Sequence, residues 1–209
     1  MTKIKICGLR RMEDIEAVNA CLPDYAGFVF AKGKRTVTEE EAQALRENLN
    51  SQIIPVGVFV NAPVEQVAEL LNKKVIDIAQ LHGEEDEAYI CELRDLMKRG
   101  QLIKALRAAS PDSLKLGCKL DVEYLLFDAF SHKEYGGTGA TFDWTWIGNV
   151  EKPFFLAGGI NSGNVEKAME MVYPFAVDVS SSVETEGWKD KDKIIDIVTK
   201  VKRKNQTEE

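Results

Sequence analysis

Two histidines and four cysteines are all that this 209-residue chain offers to a metal ion or a disulfide framework. Cys7, Cys21, Cys91 and Cys118 stand far apart, with no CxxC spacing and neither His82 nor His132 clustered with them, so no metal site is expected. No apolar run approaches the ~18 residues of a membrane span, and the opening MTKIKICG is too short and polar for a secretory leader. Basic stretches are also missing. The densest, Lys200 to Lys204, is broken by Val201, and the formal charge is −7, which argues against nucleic acid as a partner. The expectation is a cytoplasmic protein with reduced thiols that touches neither membrane nor nucleic acid.

What is present is an ordinary globular composition, 44% hydrophobic and 29% charged, enough to bury a sizeable core and to exclude disorder. Short runs rich in Val, Ile and Phe alternate with segments of helical period. Eight strands are predicted: Lys3 to Cys7, Tyr25 to Phe30, Ile53 to Phe59, Ile76 to Gln80, Leu102 to Leu106, Tyr124 to Asp128, Phe154 to Ala157, and Ala176 to Val179. Between them, Val64, Val67, Ala68 and Leu71 recur at helical spacing, as do Val165, Ala168, Met169 and Val172, and Ile194, Ile197, Val198 and Val201. Thr38 and Glu41 have the spacing of a capping box ahead of Ala42. Two connections, Ser110 to Lys119 and Thr141 to Ile147, read as weak helices.

Eight strand-helix units in ~200 residues fit an α/β chain closed as a (β/α)8 TIM barrel, which leaves no sheet edge. An open doubly wound sheet is the competing architecture. No linker divides the chain, so residues 1–209 are expected to form one barrel domain, with a short polar C-terminal tail from about 203.

In such a barrel chemistry belongs at the C-terminal strand ends. Those ends supply Cys7, Arg35, Asn61, His82, Arg107, Asp128, Gly158 and Asp178. Glycine or serine turns follow the last three strands: Gly136, Gly137 and Gly139 around Thr138, then Gly158 and Gly159, then Ser180, Ser181 and Ser182. Glycine lets backbone N–H groups approach an anion, and loops after strands seven and eight are the usual phosphate cradle of this fold. Each turn alone could be an ordinary connection.

Cys7 could be a small buried hydrophobe, but Gly8 opens room beside it, and a thiol of ordinary pKa ~8.5 needs little depression to give thiolate. Asp128 closes the apolar run Leu125 to Phe127. Buried carboxylates are uncommon unless paired or functional, although a loop cap is the plainer alternative. Arg35 could hold a carboxylate bidentately, or belong with Lys32 and Lys34 to a solvated basic loop. His82 reads as a structural hydrogen-bonder as readily as a site residue, and Asp178 could fix the serine loop.

In this order the motifs KICG at 5–8, GFVF at 27–30 with Arg35, VGVFVN at 56–61, QLHG at 80–83, LFDA at 126–129, GGTG at 136–139 with FDW at 142–144, LAGGI at 156–160, VDVSS at 177–181 and VE at 183–184 run through the whole chain. The set resembles the phosphoribosylanthranilate isomerase family of tryptophan biosynthesis. Three segments depart from its pattern: Ser182 where glycine is usual, NSGNV after AGGI where TPENV is commoner, and Lys34 in place of a proline before the arginine.

The resemblance implies the Amadori rearrangement of N-(5-phosphoribosyl)anthranilate to 1-(2-carboxyphenylamino)-1-deoxyribulose 5-phosphate. Cys7 would be the base and Asp128 the acid, and Arg35, His82, Gly137, Gly139, Gly158, Gly159, Asp178, Ser180 and Ser181 would bind the phosphosugar. It implies no cofactor, and a monomer or homodimer. The histidine-pathway isomerase, which performs the same chemistry, would place an aspartate where Cys7 stands. Indole-glycerol-phosphate synthase would need a catalytic lysine and glutamate at strand ends, and a noncatalytic phosphate-binding barrel would leave Cys7 and Asp128 without a task.

Overall fold

Burial on both faces is what makes these strands parallel neighbours: each must be covered by side chains inside and by helices outside. The computed structural model describes residues 1–108, 119–129, 143–148 and 150–207. Its sheet is a closed barrel in the order β1 to β8. The strands are β1 (Lys3–Cys7), β2 (Tyr25–Val29), β3 (Ile54–Phe59), β4 (Ile78–Leu81), β5 (Gln101–Ala108), β6 (Tyr124–Ala129), β7 (Phe154–Leu156) and β8 (Ala176–Val179), paired in parallel throughout. The open doubly wound alternative is thereby excluded, since β8 pairs with β1.

Six α-helices accompany the strands among the described residues: α1 (Met12–Cys21), α2 (Glu39–Glu47), α3 (Val64–Asn72), α4 (Glu87–Leu96), α5 (Val165–Val172) and α6 (Lys191–Thr207). The Thr38 capping box forms as spaced, with Glu41 N–H donating to Thr38 Oγ1 at 3.2 Å and Thr38 N–H to Glu41 Oε2 at 2.8 Å. Of the two weak helices, the second is represented by a single 3-10 turn, Trp144–Ile147, and nearly all of the first lies outside the described residues. Instead of a tail from about 203, α6 continues through Thr207, and the Asn205 amide exchanges hydrogen bonds with the backbone of Thr2. A short hairpin, β9 (Glu184–Thr185) with β10 (Trp188–Lys189), follows β8 and carries no strong sequence signal.

Period-two alternation sorts the strand residues into two sets. One packs outward beneath the helices, with Ile4, Ile6, Leu81, Leu102, Phe127 and Val177 fully buried there. The other fills the barrel: Tyr25, Val56, Ile78, Ile103, Leu126 and Phe155. At the N-terminal end of the barrel Phe155 meets Tyr25 and Tyr124 edge-on, with ring centroids 5.2 and 5.6 Å apart, and Phe175 stacks on Tyr124 at 5.0 Å. Phe155→Ala should cost about 3–5 kcal/mol through lost contacts and the cavity left behind; urea unfolding of the two proteins measures it.

Candidate active site

One layer above the aromatic floor the inward positions turn polar. Lys5 and Asp178 are partners across the β1–β8 seam, and Lys5 Nζ donates to both carboxylate oxygens at 3.0 Å. Burial pulls the Lys5 ammonium toward deprotonation, but the Asp178 carboxylate beside it outweighs burial, so Lys5 stays an ammonium. Two residues further along β1, on the same face, Cys7 lies 8% exposed. Burial pushes its thiol above the ordinary range, with Lys5 and Lys189 pulling the other way. The small depression that would supply thiolate is therefore not found: enclosure in the barrel shifts Cys7 the other way and favours the thiol.

Gly27, the cross-strand partner of Cys7, is needed for space. A Cβ there would lie 2.9 Å from both Cys7 Cα and Cys7 Sγ. Asp128 enters from β6, with its carboxylate Oδ2 3.2 Å from His82 Nε2, and His82 Nδ1 is 2.8 Å from the amide nitrogen of Gln80. The sequence-predicted Cys7, Asp128, His82 and Asp178 thus face one space at the C-terminal half of the barrel, from β1, β6, the end of β4, and β8.

The rim is organised by charge. Arg35, in the β2–α2 loop, donates through Nε and one Nη to the two Glu184 oxygens at 2.7 and 2.8 Å, so it is clamped and not part of a solvated basic loop. Lys189 Nζ bonds Glu184 at 2.8 Å and the Ser180 carbonyl at 2.9 Å, and the Ser180 hydroxyl donates to the Cys7 carbonyl at 3.0 Å. Burial draws Lys189 below the ordinary ammonium range against the pull of Glu184. Burial would raise the Glu184 carboxyl, but hydrogen bonds from Arg35 and Lys189 prevail and hold it at about 2.

After β7, Gly158 and Gly159 take φ of +77° and +70°, a left-handed pair that only glycine adopts readily. The Asn161 and Asn164 amides both donate to the Gly159 carbonyl at 3.0 Å and fix the turn before α5. Ser180 and Ser181 follow β8. Asp178 does not reach their loop as expected, because both of its oxygens are taken by Lys5. Gly137 and Gly139 lie outside the described residues.

Sequence reading passed over Lys5, Gln80, Glu184 and Lys189 as site groups. Lys5 and Gln80 did leave a signal, since each stands two residues before a named site residue, Cys7 and His82, and so shares its strand face. Lys189 arrives on the unforeseen hairpin. Among the described residues no group of His, Cys, Asp and Glu could hold a metal, and no helix is long and apolar enough to cross a membrane.

A closed parallel barrel with ionisable groups converging at the C-terminal strand ends, and glycine and serine turns after β7 and β8, defines a β/α-barrel enzyme. The family model for N-(5'-phosphoribosyl)anthranilate isomerase matches residues 4–200, and the chain belongs to that family. It is 45% identical to the N-(5'-phosphoribosyl)anthranilate isomerase of Acetivibrio thermocellus, over 97% of this chain and 96% of that one. It is 46% identical to that of Thermoanaerobacter pseudethanolicus, over 97% and 98%. The crystal structure of phosphoribosyl anthranilate isomerase from Thermotoga maritima superimposes with a TM-score of 0.86 at 32% identity, covering 97% of this chain and all of that one. A phosphoribosyl anthranilate isomerase solved with reduced 1-(o-carboxyphenylamino)-1-deoxyribulose 5-phosphate superimposes with a TM-score of 0.82 at 30% identity, with coverage of 97% and 100%.

Two outcomes test this geometry. Gly27→Ala should keep the fold by circular dichroism yet lower kcat/KM by roughly 100-fold, because the new methyl displaces Cys7. The depressed Glu184 carboxyl contributes stability above its unfolded value of ~4.3, and that contribution is lost as pH falls toward about 2. Glu184→Gln should therefore be less stable than the parent at pH 7 in urea, with the deficit closing as the pH is lowered through that window.

Proposed function

We propose that Cys7 is the general base and Asp128 the general acid of the isomerisation that defines the family. The chain catalyses the Amadori rearrangement of N-(5'-phosphoribosyl)anthranilate in tryptophan biosynthesis. The observation that carries the assignment of roles is that a thiol and a carboxyl group face the same space from strands one and six, each with a polar partner beneath or beside it.

In this reading protonated Asp128 gives its proton to the furanose ring oxygen as the C1–O bond breaks and the anthranilate nitrogen lone pair forms a C1=N iminium. Cys7 thiolate then takes the proton on C2. The C2–H electron pair becomes a C1=C2 bond while the C=N pair returns to nitrogen, and the resulting enolamine tautomerises to the ketone. The iminium is the electron sink, so the substrate supplies what a cofactor would otherwise provide. Cys7, raised by burial and so a thiol at the outset, first releases its Sγ proton to solvent, and only the resulting thiolate can accept the proton from C2. The cation created by ring opening lies one bond from C2 and favours the thiolate when it is needed.

Arg35 is the proposed anchor for the anthranilate carboxylate, offered through the Nη not engaged by Glu184. The phosphate is assigned to the turns bearing Gly158, Gly159, Ser180 and Ser181, together with Gly137 and Gly139. One barrel domain in the cytoplasm is the proposed working unit, alone or in a homodimer. Its partner is the phosphosugar, without membrane or nucleic acid. The Thermotoga maritima relative is described as dimeric.

Loss of substrate fluorescence measures turnover, with the aminoimidazole substrate of the histidine-pathway isomerase run beside it. Cys7→Ser and Asp128→Asn should each lower kcat by ~100-fold or more. Activity of either variant within a few-fold of the parent would overturn its assigned role, and turnover of the aminoimidazole compound alone would overturn the substrate.

A further inference from the structure

Gln80 belongs to β4 and His82 to the residue just beyond it, so the two side chains leave the chain on the same face and enter the barrel together. Gln80 is 1% exposed. Its Nε2 lies 2.8 Å from His82 Nδ1, and His82 Nε2 lies 3.2 Å from Asp128 Oδ2. A ring nitrogen facing an amide N–H can only accept, so a neutral imidazole in this setting carries its hydrogen on the opposite nitrogen. That nitrogen is the one directed at Asp128.

The Gln80 carbonyl, Oε1, is buried without a hydrogen-bond partner among the described residues. A half-turn of the amide would present an acceptor to His82 Nδ1 and reverse the tautomer, turning a lone pair toward Asp128 in place of an N–H. Gln80 is therefore the group whose orientation decides what the carboxyl of Asp128 meets.

We propose that Gln80 is a positioning residue for the isomerisation. It locks His82 as the Nε2–H tautomer, which grips Asp128 Oδ2 and leaves Oδ1 to carry the proton delivered to the substrate ring oxygen. The inference rests on the reading of Asp128 as general acid. When the Oδ1 proton passes to the ring oxygen and the C1–O bond breaks, the new carboxylate already accepts the His82 N–H. No proton has to move within the imidazole during the step. A plain structural glutamine would fill the same volume without fixing the tautomer.

The test combines a spectrum with kinetics. In the parent protein labelled with 15N-histidine, with His82 assigned by the loss of its signals in His82→Gln, Nε2 should be protonated and Nδ1 unprotonated at neutral pH. Gln80→Met, close in length but without a donor, should give a ring that samples both tautomers. Its kcat should fall about tenfold while KM stays within about twofold. Gln80→Glu, an acceptor at the same distance, should move the proton to Nδ1 and lower kcat further.

A parent protein with the proton on Nδ1 overturns the proposal whether or not any variant folds. So does a Gln80→Met enzyme with parental kcat. Asp128→Asn separates the two failures: if it is active, the reading of the acid is wrong, whereas an inactive Asp128→Asn beside a fully active Gln80→Met removes the role of Gln80 alone.

Discussion

The Lys5–Asp178 pair sits where the first strand meets the last, and the polar half of the barrel is arranged around it. Two opposite charges at 3.0 Å, one fully buried and the other nearly so, neutralise each other in a place that would tolerate neither alone. Because the partners are in register across the β1–β8 seam, the contact exists only when the barrel closes with the correct stagger. Replacing such a pair with apolar groups is often neutral for stability in general. Its value here is chemical, since it places an ammonium beneath Cys7 and keeps Asp178, which burial pushes up against the pull of Lys5, occupied beside Asp128.

The rim repeats the pattern with a longer chain of charges. Arg35, Glu184 and Lys189 bridge the loop after β2 to the hairpin after β8, and Lys189 and Ser180 carry that order back to the carbonyl of Cys7. A residue on a loop is thus held by partners that are themselves held, which fixes the arginine without a helix or strand of its own. The bidentate fork suits the guanidinium in a way a lysine ammonium could not match. Ser182, which departs from the family's glycine, has its hydroxyl buried without a partner among the described residues, and nothing in the structure explains the substitution.

The architecture was legible because strand burial and helix stripes write themselves into composition at fixed periods. Lys3–Cys7 and Ala176–Val179 match their predicted limits, and the Thr38 cap forms as its spacing demands. Boundaries drifted where the chain leaves a strand gradually: β5 extends to Ala108 because β6 continues to pair with it. Cys7, Asp128 and His82 were legible as polar groups at strand ends. Their partners were harder to find, because a lysine within KIKIC or a glutamine within IAQL looks like noise in an apolar run until period two shows which face it shares. The raised thiol of Cys7 could not be read at all, since it depends on how deeply the residue is enclosed once all eight strands are in place.

The aromatic floor of Tyr25, Tyr124, Phe155 and Phe175 fills the N-terminal end of the barrel. A ligand bound at the polar strand ends would come and go on that side of the barrel. If the proposed phosphate loops do hold the ligand, arrival and departure share that face, and the same loops must also release it. A tighter hold on the ligand's charged ends would slow its exit as surely as it eased its capture.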